Sequence, residues 1–227
     1  FLMIIASIPI AWFLFLPNDL KEFSQSMVSV VIFLSNILFW IKSGYFDTST
    51  ELKPLIHTWS LSIEEQFYIL FPIICIIIFK FSKKNFLLIF SIIALVGLST
   101  AHYASHSHQS MAFYSLPTRG WEIICGVLVA YLLHKTNYLN FKRFHVNQIL
   151  SLIGFSLVLF SVIIFDLNTP HPSFYTLLPI LGTLLLIIFT IEDTYIFKIF
   201  TNKYLVGVGL LSYSLYLWHQ PIFAFVK

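Results

Sequence analysis

Between Pro54 and Pro72 the chain reads PLIHTWSLSIEEQFYILFP, so that a His, a Trp, several hydroxyls, two adjacent carboxylates and a Gln lead straight into an apolar helix. Ionisable groups at the mouth of a membrane helix are expensive and mark sites that bind or react. Ser62 and Glu65 fit the S-x-x-E capping pattern, with Ser62 as N-cap and Glu65 reaching back to the backbone. That assignment gives Glu65 a structural task and leaves Glu64 free to face other helices, with Tyr68 one turn along the same face. A carboxylate partly buried beside aromatic rings suits proton shuttling or the binding of a sugar hydroxyl. His57, placed before the cap, is either a hydrogen-bonding loop histidine or a proton-transfer group working with Glu64.

Three further clusters carry polar chemistry. Arg119 and Glu122, in TRGWE, are three apart at the start of another apolar segment. They either pair with each other at the membrane interface, or Arg119 orients a substrate or keeps Glu64 ionised. In GLLSYSLYLWHQP, residues Ser212, Tyr216 and His219 fall on one helical stripe. An aromatic belt explains the tyrosines and Trp218 but not a His inside the segment. His102, His106 and His108 have partial metal-ligand spacing, but no carboxylate or Cys joins them locally, so no metal site is expected.

These groups need elements to position them, and composition says what kind. Of 227 residues, 58% are hydrophobic and 10% charged, with 25 Phe, against about 25% charged in an ordinary soluble domain. Long stretches such as 86–103 and 149–165 lack Asp, Glu, Lys and Arg and approach the ~20 residues that cross a bilayer. Strand-type alternation is missing, which excludes a membrane β-barrel. The expected fold is all-α: one polytopic transmembrane helical bundle over residues 1–227, with about seven spans and one re-entrant helix. Spans are expected at 1–16, 63–79, 86–104, 121–133, 149–165, 174–191 and 206–225. The re-entrant or interfacial segment is 27–41, which is short and has Asn36 near its centre.

Cys75 and Cys125 lie in apolar segments and give neither a disulfide framework nor metal spacing. The formal charge of +3 is scattered through short loops, which disfavours nucleic-acid binding. Lys80, Lys83, Lys84, Lys135, Lys142, Arg143, Lys198 and Lys203 all fall in alternate loops, while 105–118 and 166–173 hold no Lys or Arg. The positive-inside rule makes the first group cytoplasmic. His57–Glu65, Arg119 and His219 then lie toward the extracytoplasmic side, and Glu64, Arg119 and His219 are expected in one cavity there. Asn18-Asp19 and Tyr45-Phe46 are expected on that same side, accessible at Asp19 and Asp47.

Taken together, FLSNILFW (33–40), Gly44-Tyr45-Phe46, HTWSLSIEEQFY (57–68), TRGWEIICG (118–126) and GLLSYSLYLWHQP (209–221) resemble the acyltransferase-3 family of membrane O-acyltransferases. The likeness is greatest to members that O-acetylate bacterial surface polysaccharides such as O-antigen or peptidoglycan. It implies transfer of an acetyl group from cytoplasmic acyl-CoA, a donor substrate rather than a bound cofactor, to a carbohydrate or lipid-linked glycan hydroxyl outside the bacterial inner membrane. It also implies two helices before Phe1, the first bearing the family's proposed catalytic His, a basic motif after the second, and a closing helix after Lys227. On that footing Glu64 and His57 are the expected catalytic groups. Trp59, Ser60, Tyr68, Arg119, Glu122, Ser212, Tyr213, Tyr216 and His219 are expected to bind substrate. A secondary transporter or flippase for a polar or sugar-linked solute is the rival reading, although no repeated half is visible in the sequence.

Overall fold

The computed structural model describes residues 1–43, 52–136, 144–166 and 168–226, and among these every regular element is helical. Gly44-Tyr45-Phe46, Asp47, Lys142 and Arg143 lie outside the described residues. The chain forms two compact units. One comprises Phe1–Ile73, Tyr114–Leu116 and Val208–Lys227, the other Ile74–Phe113 and Pro117–Gly207.

The first unit opens with α1 (Leu2–Leu14) and α2 (Pro17–Val31), the latter started by a proline whose missing N–H costs nothing at a first helical position. After α2 come α3 (Ser35–Lys42), a 3-10 turn over Ile56–Thr58, and α4 (Trp59–Ser82). Its core gathers Met3, Ile4 and Ala11 of α1, Phe23 of α2 and Leu55, with Leu217, Trp218 and Phe225 packed against them. The second unit contains α5 (Phe86–Ser107), α6 (Gln109–Tyr114), α7 (Leu116–Thr136), α8 (Phe144–Ile164), α9 (Leu177–Phe189) and α10 (Tyr195–Phe200). The last helix, α11, runs Lys203–Val226. Within the second unit α8 and α9 meet backbone to backbone. A Cβ on Gly154 would stand 2.8 Å from the Gly182 carbonyl oxygen, and one on Gly182 the same distance from that of Gly154. Small residues at a helix crossing are how membrane helices gain van der Waals contact without a hydrophobic driving force.

Among the described residues, four helical stretches are long and apolar enough to cross a membrane: Ile56–Ser82, Phe86–Ser107, Gln109–Lys135 and Phe144–Ile164. Leu2–Leu14 and Phe174–Phe189 are apolar but shorter, and 13 residues of α1 rise only about 20 Å against a ~30 Å hydrocarbon core. The stretch 27–41 is not the single re-entrant helix that its composition predicts. It is broken between α2 and α3, where Phe33 adopts a left-handed φ of 57°. That conformation is strained for an aromatic residue, and the carbonyl of Phe33 is held there by the side chain of Gln66, whose Nε2 donates to it at 2.7 Å.

Candidate functional site

The motif HTWSLSIEEQFY divides its polar residues between two faces of one helix entrance. Thr58, Ser62 and Gln66, spaced by four, turn toward α3. Ser62 Oγ meets Ser35 Oγ at 2.7 Å and accepts from the Ser35 amide at 3.3 Å, while Thr58 Oγ1 donates to Ser35 Oγ at 3.2 Å. Gln66 Nε2 donates to Asn36 Oδ1 at 2.9 Å, and Asn36 Nδ2 donates to the Tyr114 carbonyl at 3.0 Å. This answers the need of a buried amide for a partner, Asn36 being 2 % exposed.

The same hydrogen bonds overturn the capping box. Ser62 is not an N-cap: α4 begins at Trp59, directly after the 3-10 turn, and Ser62 lies one turn inside it, bonded across to α3. The structural task given to Glu65, and the contrast with Glu64 built on it, lose their basis. Glu64 itself is exposed rather than partly buried, as is Tyr68 one turn further on.

The second face carries His57, Ser60 and Glu64 and meets α11. Tyr216 Oη donates to the His57 carbonyl at 2.6 Å, and that phenol, its proton committed, accepts from Ser60 Oγ at 2.5 Å. The His57 ring stands 5.4 Å, centroid to centroid, from the rings of both Tyr216 and His219. His57 is 6 % exposed, yet neither ring nitrogen has a hydrogen-bond partner. Backbone of Leu217 and Pro54 approaches the ring without reaching bonding geometry. The Leu217 carbonyl is available because Pro221, four residues on, has no N–H to give it. Nδ1 of His219 donates to the Tyr216 carbonyl at 2.7 Å, since a carbonyl only accepts, and this leaves Nε2 as an acceptor. Two imidazoles with open nitrogens, a phenol and a serine hydroxyl thus share one half-buried nook. Glu64 stands one helical turn from Ser60, within electrostatic reach of Tyr216.

Of the other expected residues in this unit, Trp59 packs edge-on against Tyr114 at 5.6 Å. Ser212 is exposed and bonded to its own helix at Gly209, and Tyr213 is 63 % exposed, so the stripe contributes Tyr216 and His219 but not Ser212 to the nook.

Arg119 and Glu122 belong to the second unit. Arg119 Nη1 lies 3.3 Å from Glu122 Oε1, its Nε donates to the Phe113 carbonyl, and its guanidinium sits 4.9 Å over the Phe113 ring. Nη1 also donates to His171 Nε2 at 2.8 Å. His171 went unsingled in the sequence, although a His between Pro170 and Pro172 in a loop free of Lys and Arg was a signal worth following. The loop around it is set by Asp166, which accepts from Thr169 Oγ1 at 2.8 Å, and by the reciprocal capping of Ser173 and Thr176. Burial first, and the Arg119 charge second, lower the His171 pKa to about 4. The ring is therefore neutral at ordinary pH and free to accept. In the His102 region, His106 Nδ1 donates to the His102 carbonyl and His102 stacks on Phe174 at 4.0 Å. Among the described residues no three His, Cys, Asp or Glu side chains gather as metal ligands.

Comparison with known proteins bears on the whole chain. No solved structure matches it. A Staphylococcus aureus (strain COL) protein named "Putative O-acetyltransferase" is 30% identical over 219 residues, 92% of this chain and 36% of that protein. Peptidoglycan O-acetyltransferase OatA of Listeria monocytogenes serovar 1/2a is 28% identical over 218 residues, 92% of this chain and 35% of OatA. An uncharacterised Haemophilus influenzae protein is 30% identical over 187 residues, covering 78% of this chain and 76% of its own. The chain thus spans about a third of the length of the first of these relatives, 36%. The acyltransferase domain family matches over residues 1–227, and the chain belongs to that family, acyltransferase-3.

Proposed function

We propose that this chain supplies the membrane domain of an O-acetyltransferase of the bacterial cytoplasmic membrane. It moves an acetyl group from acetyl-CoA to a hydroxyl of a cell-surface carbohydrate. Support comes from the family match and from relatives named as O-acetyltransferases, one of them for peptidoglycan. The observation that carries the chemistry is the buried His57 ring with two unpartnered nitrogens, facing His219 and Tyr216.

Acyl transfer to a sugar requires that the hydroxyl lose its proton as its oxygen attacks the thioester carbonyl. The C–S bond then breaks, and the thiolate of coenzyme A takes up a proton. A neutral imidazole with an open nitrogen is the usual acceptor for the first proton. His57 and His219 offer such nitrogens within one nook, and Tyr216 and Ser60 fix the His57 backbone from below. Within the second unit taken by itself, Arg119, held by Glu122 and His171, is assigned to binding an anionic group of a substrate.

The experiment is acetyl transfer from labelled acetyl-CoA to envelope polysaccharide by the full-length protein in nanodiscs. The acceptor is taken from the source cell and stripped of O-acetyl groups with mild alkali. Transfer is expected for the native protein, with a loss of about 100-fold or more per folded molecule in His57→Gln. Unchanged transfer in His57→Gln refutes the assignment. Solute uptake by liposomes without acetylation would favour the transporter.

A further inference from the structure

A second polar cluster in the first unit plays no part in the chemistry above. A cavity of about 320 Å³ opens there, lined by residues from α1, α2, α3, the turn before α4, and the end of α11. Phe23 and Phe39, 3 % and 2 % exposed, give it aromatic surface. Four charges also line it, Asp19 and Glu22 from α2, Lys42 from α3, and Lys53. Lys42 stands 3.8 Å from Glu22 and donates to Gln25 Oε1 at 2.7 Å. The formal charge of the lining is zero, so the cavity as a whole favours neither cations nor anions.

This combination selects among the ligands of an acyl-transfer protein. An acyl tail would desolvate four charged groups and offer none of them a hydrogen bond. A whole coenzyme A is too large for a volume at the small end of the ~300–1,000 Å³ found for ligand pockets, and its phosphates would face two carboxylates. A neutral ring with an apolar face and a hydroxyl rim meets both parts of the lining. The carboxylates accept from hydroxyls, the ammonium groups donate to them, and the phenyl rings cover the C–H face. The cavity also adjoins the histidine nook. Pro54, which lines it, is three residues ahead of His57, and the Lys53 carbonyl accepts from Gln220 Nε2 at 3.2 Å, next to His219.

We infer that this cavity is the subsite that seats a sugar unit of the acceptor, with Asp19 and Glu22 accepting from its hydroxyls beside Phe23 and Phe39. The inference rests on the acetyl-transfer reading. Carboxylate–hydroxyl bonds are charge-assisted, and losing one raises a dissociation constant about tenfold.

The test uses the full-length protein in nanodiscs, with the alkali-stripped envelope polysaccharide and acetyl-CoA as the varied substrates. Asp19→Asn and Glu22→Gln are each expected to raise KM for the polysaccharide by about tenfold, while KM for acetyl-CoA moves by less than about twofold. Asp19 is half-buried, and its replacement leaves the Glu22–Lys42 pair in place, so it separates a subsite effect from a folding effect. An unchanged polysaccharide KM in both variants overturns the subsite and leaves acetyl transfer standing. A parallel rise in both KM values marks a structural role and overturns it equally. If the native protein transfers no acetyl group, the functional reading itself fails, and the subsite fails with it.

Discussion

At the scale of single residues, the side chains that matter most are those whose hydrogen-bonding capacity is left over once the fold is satisfied. His57 and His219 keep open nitrogens in the first unit, whereas in the second His171 spends its lone pair on Arg119. That bond exists only while His171 is neutral, because a protonated ring has no acceptor and would face the guanidinium as a second cation. With a folded-state pKa of about 4 against 6.5 for an exposed histidine, the unfolded chain takes up the proton first as acid is added. The stability this group contributes is therefore intact above pH ~6.5 and is lost as the pH falls toward 4. Replacement by Gln keeps a neutral acceptor that does not titrate. Melting midpoints of the full-length protein in detergent should fall more steeply between pH 7 and about 5 for the native protein than for His171→Gln. Equal slopes would show that the Arg119 contact carries no proton linkage. Sequence reasoning found Arg119 and Glu122 because they are three apart on one helix; the loop of His171 carried a signal, but its pairing with Arg119 across 52 residues is a tertiary contact that helical spacing does not show. His57 stood out in the sequence for the opposite reason, its place beside the other polar residues of one helix entrance, and the structure buries it there with both ring nitrogens unpartnered.

At the scale of elements, apolar runs located the helices well because a chain in a membrane must close every backbone hydrogen bond within its own helix. What composition misread was the entrance to α4. A hydroxyl before an acidic pair looks like a cap in isolation, but Thr58, Ser62 and Gln66 turn their side chains to a neighbouring helix and leave the helix start to a 3-10 turn. The break at Phe33 was equally hidden, since it depends on a Gln 33 residues later in the chain to hold its carbonyl. Packing between elements is most demanding where α8 crosses α9. With 2.8 Å between either added Cβ and the opposing carbonyl oxygen, no side chain can give way, and the helices themselves must part. Gly154→Ala and Gly182→Ala should each destabilise the fold by about 1–3 kcal/mol, the usual cost of overpacking. At Gly207, where an added Cβ meets nothing within 4 Å, Ala should be tolerated. Denaturation midpoints of the three variants in one detergent give the comparison, and tolerance at all three sites would show that the α8–α9 contact is looser than described.

At the scale of the whole molecule, the cavity of the first unit sets the relative directions of the helices that line it, and loop charge then gives an expected orientation in the membrane. The C-terminal end of α1 at Phe15, the residues entering α4 at Lys53 and Pro54, and the C-terminal end of α11 at Phe225 line a single cavity. Helix α1 therefore runs antiparallel to α4 and parallel to α11. Lys80, in the last turn of α4, and Lys84, in the 3-10 turn just after it, are among the basic residues that the positive-inside rule assigns to the cytoplasm. On that rule the cavity end is expected to be extracytoplasmic, with Asp19 on the same side as Lys53, since both line that cavity. That arrangement needs α2 and α3 to return the chain to the side from which it left α1, and the break at Phe33 between two short helices allows this. The prediction is read with single cysteines in full-length protein whose Cys75 and Cys125 are replaced by serine. Asn18→Cys, at an exposed position, should react with a membrane-impermeant thiol reagent in intact cells, and Lys84→Cys only after the membrane is permeabilised. If Lys84→Cys labels in intact cells and Asn18→Cys does not, the orientation is inverted. Labelling of both from outside would mean that the segment between α1 and α4 crosses the bilayer, which the shared cavity forbids.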